Sequence, residues 1–91
     1  MSNTLPNVIV SPMAIVDLYA ASGIAVGTKI EVVMIGAGNA KLYSGATLTS
    51  EPTDSTGYVP LVAGQAASNE SGDSGAFIWS RQGCTVNVRE A

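Results

Sequence analysis

The run from Ile30 to Ile35 constrains this chain more tightly than any other stretch, because it is largely apolar on both sides of an extended strand. Ile30, Val32 and Met34 fall on one face, and Glu31, Val33 and Ile35 on the other. A strand of that kind has to be covered on both faces. Gly36, Gly38 and Asn39 then accept positive φ at little steric cost, so the chain can reverse and Ala40 to Ser44 return antiparallel. Lys29 to Ser44 is therefore predicted to be a central β-hairpin, with Leu42 on the Val33 face and Tyr43 on the Met34 face.

The segment Val32 to Ala40 also has the look of the first strand and glycine turn of a dinucleotide-binding unit, where backbone N–H groups hold a pyrophosphate. Three features argue against that reading. Lys41 stands where the third glycine belongs, the residues after the turn are strand-like, and 91 residues leave no room for a doubly wound sheet.

A chain of 91 residues corresponds to one domain, 1–91, with a core of marginal size. Charged residues make up 12% of it, against roughly 25% in ordinary soluble domains, while 46% are apolar, so charge is too sparse to wet a whole free surface. The apolar runs are only a few residues long, which excludes a transmembrane helix, and the N-terminus lacks the basic and apolar regions of a signal peptide. Burial against other protein chains is the expected outlet, with a homotrimer or dimer as the expected state. Net charge is −3, and the four cations Lys29, Lys41, Arg81 and Arg89 are scattered, which argues against a nucleic-acid partner. A lone Cys84 forbids an internal disulfide, and with no histidine a zinc site would have to be all-carboxylate. No metal and no cofactor are expected.

Met1 to Asn7 reads as a polar, flexible leader or arm, and Val8-Ile9-Val10 as a short first strand or a pairing arm. Ser11-Pro12 offers a helix start, with a serine oxygen for a free N–H and a proline whose φ suits the first turn. Met13 to Ser22 is accordingly predicted helical, with Ile15, Leu18, Tyr19 and Ser22 on one face, Asp17 away from it, and Gly23 as a left-handed stop. After Ser44, Gly45 to Leu48 can prolong the strand before a polar loop, 49–57. Tyr58 to Val62 reads as a strand that Pro60 confines to an edge or a bulge, and Ala63 to Gly75 as a second loop.

The last element is predicted to be a hairpin, Ala76 to Ser80 returning through Arg81-Gln82-Gly83 to Cys84 to Arg89. With a three-residue turn, Ile78, Val86 and Val88 fill the core, and Phe77 and Trp79 occupy the opposite face, where two large aromatics need cover. With a two-residue turn both aromatics point inward. Tyr43, Phe77 and Trp79 are the candidate interface residues.

Chemistry is offered and declined at four places. Gly72-Asp73-Ser74-Gly75 reproduces the tetrapeptide around the nucleophile of chymotrypsin-like proteases, but with no histidine in the chain a Ser-His-Asp triad cannot be assembled. Glu51, Asp54, Glu70 and Asp73 lie in the two long loops and are of the right oxygen chemistry for calcium, yet their spacing is not that of an EF-hand. Tyr43, Tyr58, Phe77 and Trp79 are the candidates for a sugar platform, but aromatics are only 5% of the chain and ordinary packing is the default reading. Cys84 falls on the core face, where it acts as a small hydrophobe. No catalytic residue is assigned.

The order of segments, with Ser11 to Ile30, Val33 to Tyr43, Gly75 to Trp79 and Val86 to Ala91 as its carriers, resembles small bacteriophage virion proteins. The resemblance covers most of the chain from Ser11 onward. It implies a subunit without enzymatic activity, made in the host cytoplasm and resident in the virion, where it binds a major virion protein such as the capsid protein. A capsid decoration protein is the first expectation, and a head–tail or tail-tip component or a host-surface glycan-binding module the alternatives. The expected architecture is mainly β: a small β-sandwich or barrel of short antiparallel strands with one short N-terminal helix.

The missing base leads to a direct test. Ser74→Ala is expected to leave function unchanged, and the protein is expected not to react with a fluorophosphonate probe. Stoichiometric labelling of Ser74, read by mass spectrometry, is the contrary outcome.

Overall fold

The computed structural model describes residues 7–36, 38–53 and 57–91. Within them the chain forms β1 (Val8–Val10), β2 (Ile15–Asp17), α1 (Leu18–Ser22), β3 (Ile30–Met34), β4 (Asn39–Ser44), β5 (Val59–Val62), β6 (Ala66–Ser68), β7 (Ala76–Trp79) and β8 (Cys84–Glu90). The strands make two four-stranded sheets, β1-β8-β3-β6 and β2-β7-β4-β5, with every pairing antiparallel. The arrangement is sandwich-like and is not a closed barrel. The predicted leader lies outside the described residues except for Asn7. Among the described residues, no helix is long and apolar enough to cross a membrane.

Neither predicted hairpin forms. β3 belongs to the first sheet and β4 to the second, so the Gly-Ala-Gly-Asn turn carries the chain from one layer to the other. Of its residues, Ala37 lies outside the described set. The physical reason is competition for partners. β3 pairs with β8 along its whole length, from Ile30 opposite Glu90 to Met34 opposite Val86, while β4 pairs with β7 and β5. Glycine turns permit a reversal within one sheet and a crossing between two, and the distant strands decide which occurs. The crossing also changes the facing of β4. Leu42 and Ala40 are buried with Met34 in the shared core, and Tyr43 turns outward, opposite to the hairpin expectation.

The same holds at the C-terminal end, where β7 lies in the second sheet and β8 in the first. Ile78, Val86 and Val88 do fill one core, as the three-residue turn requires, but they reach it from opposite layers. Phe77 and Trp79 occupy the outer face of the second sheet. Residues 66–68, expected within a loop, form the edge strand β6 against Val33 to Glu31 of β3. Gly45 to Leu48 does not prolong β4. β5, with Pro60, is the edge strand of the second sheet, where a missing ladder donor is tolerated.

The helix is shorter than its sequence pattern. Ala14 N–H bonds the Ser11 carbonyl at 3.1 Å in a turn, and Met13 takes φ 59°, so Ser11-Pro12 starts no helix. Ile15 and Val16 are β-branched and pair with Trp79 and Ile78 instead. Helix begins at Leu18, capped by Asp17, whose Oδ1 accepts from Tyr19 N at 3.1 Å and Ala20 N at 3.2 Å. It ends where Gly23 takes φ 79° and its N–H bonds the Tyr19 carbonyl.

Leu18 and Tyr19 place α1 on the core. The Tyr19 hydroxyl donates to the Thr28 carbonyl at 2.6 Å and accepts from Asn69 Nδ2 at 2.7 Å, while Asn69 Oδ1 accepts from Ile30 N at 2.8 Å. Asn69 is itself buried, and among the described residues no buried side-chain polar atom lacks a partner.

The caps supply a test of the revised helix. Asp17→Ala removes two acceptor contacts and is expected to cost about 1 kcal/mol. Gly23→Ala forces a side chain into left-handed backbone and is expected to cost a similar ~1 kcal/mol. Urea midpoints should therefore fall together in the two variants. An unchanged midpoint for Asp17→Ala would mean that this carboxylate does not cap the helix in solution.

Candidate functional site

Strand alternation places Phe77 and Trp79 of β7, Lys41 and Tyr43 of β4, and Pro60 of β5 on the outer face of the second sheet, away from Ile78 and Leu42. Register sets them in rows. Tyr43 lies opposite Phe77, and Lys41 lies between Trp79 and Pro60. The three residues singled out as an interface, Tyr43, Phe77 and Trp79, thus share one face. Tyr43 and Phe77 are half-buried, but Trp79 is only 5% exposed.

Trp79 is covered by its own chain. Lys41 Nζ lies over the indole at 5.6 Å and over the Tyr58 ring at 4.6 Å, and the Arg81 guanidinium lies over the indole at 5.7 Å. Glu51, on the loop after β4, bonds Lys41 Nζ at 2.7 Å, and the Pro52 carbonyl accepts from the same nitrogen at 3.2 Å. Lys41 is the brace that draws this loop down onto the sheet. Ion pairs this accessible contribute only about 0–1 kcal/mol, and each cation–π contact about 0.5–1 kcal/mol, so the brace works as a set of contacts.

Between the loop and the sheet lies a cleft of about 400 Å³, walled by Lys41, Glu51, Tyr58, Pro60, Trp79 and Arg81. A volume of this order matches small-ligand pockets. Of the sugar-platform candidates, Tyr58 and Trp79 reach the cleft, and Tyr43 and Phe77 lie one row away. Cations over the indole leave little ring face for a sugar to stack on.

The other candidate residues take structural parts. Ser74 is exposed, Asp73 Oδ2 accepts from Glu70 N at 3.0 Å, and a Cβ on Gly75 would collide with the Gly45 carbonyl. The Gly-Asp-Ser-Gly segment is thus a turn and a close backbone crossing, joined by Gly45 N to Gly75 O at 3.0 Å. Of the calcium candidates, Asp54 lies outside the described residues, Glu51 is engaged by Lys41, and Asp73 by backbone. Among the described residues, no group of three or more His, Cys, Asp or Glu could hold a metal ion. Cys84 is a buried free thiol facing the core, and burial pushes its pKa above the usual value, against a Ser80 hydrogen bond that lowers it. That direction disfavours the thiolate.

Sequence reasoning missed Lys41, Glu51 and Arg81 as a cluster. They come from a strand, a loop and an inter-sheet turn, and no local spacing links them. Compared with known proteins, the chain matches no family model, no curated protein and no solved structure.

The single tryptophan reports directly on the brace. Lys41→Met keeps the aliphatic stem but loses both polar contacts, and is expected to raise acrylamide quenching of Trp79 at least twofold with a red-shifted emission. Unchanged quenching would mean that the loop is held down without Lys41.

Proposed function

We propose that the chain is a non-enzymatic structural subunit of a bacteriophage virion, a capsid decoration protein that self-associates and binds the particle through protein contacts. Its resemblance to small virion proteins from Ser11 onward supports the particle. The observation that carries the assembly is the outer face of the first sheet. Ile9 of β1 lies opposite Thr85 of β8, and Ile35, just past β3, bonds the Thr85 carbonyl, so the three side chains form one row. Ile9 is 75% exposed and Ile35 52%. Covering a large aliphatic side chain recovers about 1.5–3 kcal/mol, a substantial share of what a domain this small commands.

A second copy suits this face because its charges are balanced within it. Arg89 and Glu31, opposite each other in the β8–β3 register, are joined as an ion pair, leaving no net charge there to repel an identical surface. The opposite outer face, with Tyr43 and Phe77 half-buried beside the cleft, is left for the major virion protein. A head–tail or tail-tip position would use the same two faces.

Electron microscopy of virions labelled through this chain tests the location. Label over the capsid lattice is the expected result, label confined to the neck or tail selects the alternative position, and absence from purified particles overturns the proposal. At low micromolar concentration the wild-type protein is expected to sediment as a dimer or trimer, and Ile9→Lys combined with Ile35→Glu as a monomer. A wild-type protein that remains a stable, soluble monomer would refute self-association.

A further inference from the structure

We infer that the cleft beside Trp79 receives an acidic side chain from an extended segment of the partner protein, with Arg81 as the group that grips its carboxylate. The inference rests on the reading of this chain as a protein-binding subunit and names the chemistry of what it binds. In a chain of net charge −3 with four cations, two of the four converge on this cleft, and among the described residues they meet one carboxylate there, Glu51. Among the described residues the local balance is positive where the chain as a whole is negative. An acidic segment is drawn to this place and repelled by much of the rest.

The two cations are not equivalent. Lys41 is engaged by Glu51, by the Pro52 carbonyl and by two rings. Among the described residues, Arg81 has only the other Glu51 oxygen as a polar partner, at 3.8 Å, beyond hydrogen-bond length, and its side chain is 68% exposed. Its guanidinium is nonetheless positioned, lying over the Trp79 ring. A planar fork of donors held over a ring and open to solvent at the mouth of a cleft is suited to bidentate carboxylate binding.

The surroundings narrow the class. Glu51, beside Arg81, would repel a phosphate dianion more than a carboxylate monoanion. A stacked sugar finds Trp79 only 5% exposed, with Lys41 and Arg81 over its ring. Tyr58 and Pro60 supply an apolar wall for the stem of a glutamate and its extended backbone.

The test uses the whole chain and an acetylated, amidated eight-residue peptide of valine and proline with one central glutamate, its glutamine counterpart, and free glucuronate. Binding is read from the indole N–H resonance of Trp79 and its fluorescence. The glutamate peptide is expected to bind saturably, at least tenfold more tightly than the glutamine peptide or glucuronate. Arg81→Gln is expected to remove that preference, whereas Lys29→Gln, which deletes the same charge at an exposed position just before β3, is expected to keep it. Equal affinity for the two peptides, no binding of either, tighter binding of glucuronate, or a preference that survives Arg81→Gln would each overturn the inference. A chain that decorates particles yet ignores the peptide overturns this inference alone, and a chain absent from particles overturns the functional reading.

Discussion

The fold depends on β8. It lies between β1 and β3, pairing with Val8 to Val10 on one side and Ile30 to Met34 on the other, and it sends Cys84, Val86 and Val88 into the core. Both of its neighbours come from the first half of the chain, so the first sheet cannot exist until the two ends meet. The second sheet has the same character, because β7 lies between β2 and β4. Successive strands mostly enter different layers, and only β4 and β5 are both consecutive and paired. Long loop closures must then precede most of the stabilising contacts, a topology associated with slow, cooperative folding.

A sandwich built this way has an end to close, and Asn69 is central to that closure. Its side chain bonds the Ile30 N–H and the Tyr19 hydroxyl, and its own N–H reaches the Ile30 carbonyl at 3.3 Å. One asparagine therefore joins the short helix, the start of β3 and the segment after β6. In a low-dielectric interior each of these groups would be costly if left unpaired, so the network imposes a definite position on α1, which hydrophobic contact by Leu18 and Tyr19 alone would leave free to slide. Loss of the asparagine amide would strand the Ile30 N–H and leave the Tyr19 hydroxyl with the Thr28 carbonyl alone.

The two outer faces have been solved differently. On the second sheet, Lys41, itself bonded to the loop after β4, and Arg81 lie over Trp79, an aromatic that strand alternation turns away from the core and that is only 5% exposed. On the first sheet nothing of the described chain covers Ile9 and Ile35. The proposed subunit would use this asymmetry, with one face for its own kind and another for a chemically different partner. The asymmetry also explains why so few charges suffice: two of the chain's four cations serve the cleft, and a third, Arg89, neutralises Glu31 on the opposite face.

What the sequence determined by itself was the alternation within each strand and the chemistry at particular points. Ile30, Val32 and Met34 share a face because strand geometry has period two, Gly23 ends the helix because only glycine takes that φ readily, and Pro60 lies at an edge because it has no N–H to give. The absence of histidine was enough to exclude a Ser-His-Asp role for Ser74. Tertiary structure decided everything that depended on a distant partner. The glycine turn after Ile35 allows both a hairpin and a crossing, Ile15 and Val16 fit both an amphipathic helix and a strand, and in each case the choice was made by β8 or β7, many residues away. Lys41, Glu51 and Arg81 met for the same reason. Local sequence states what a backbone can do, and only the competition among strands for hydrogen-bonding partners and a common core selects what it does.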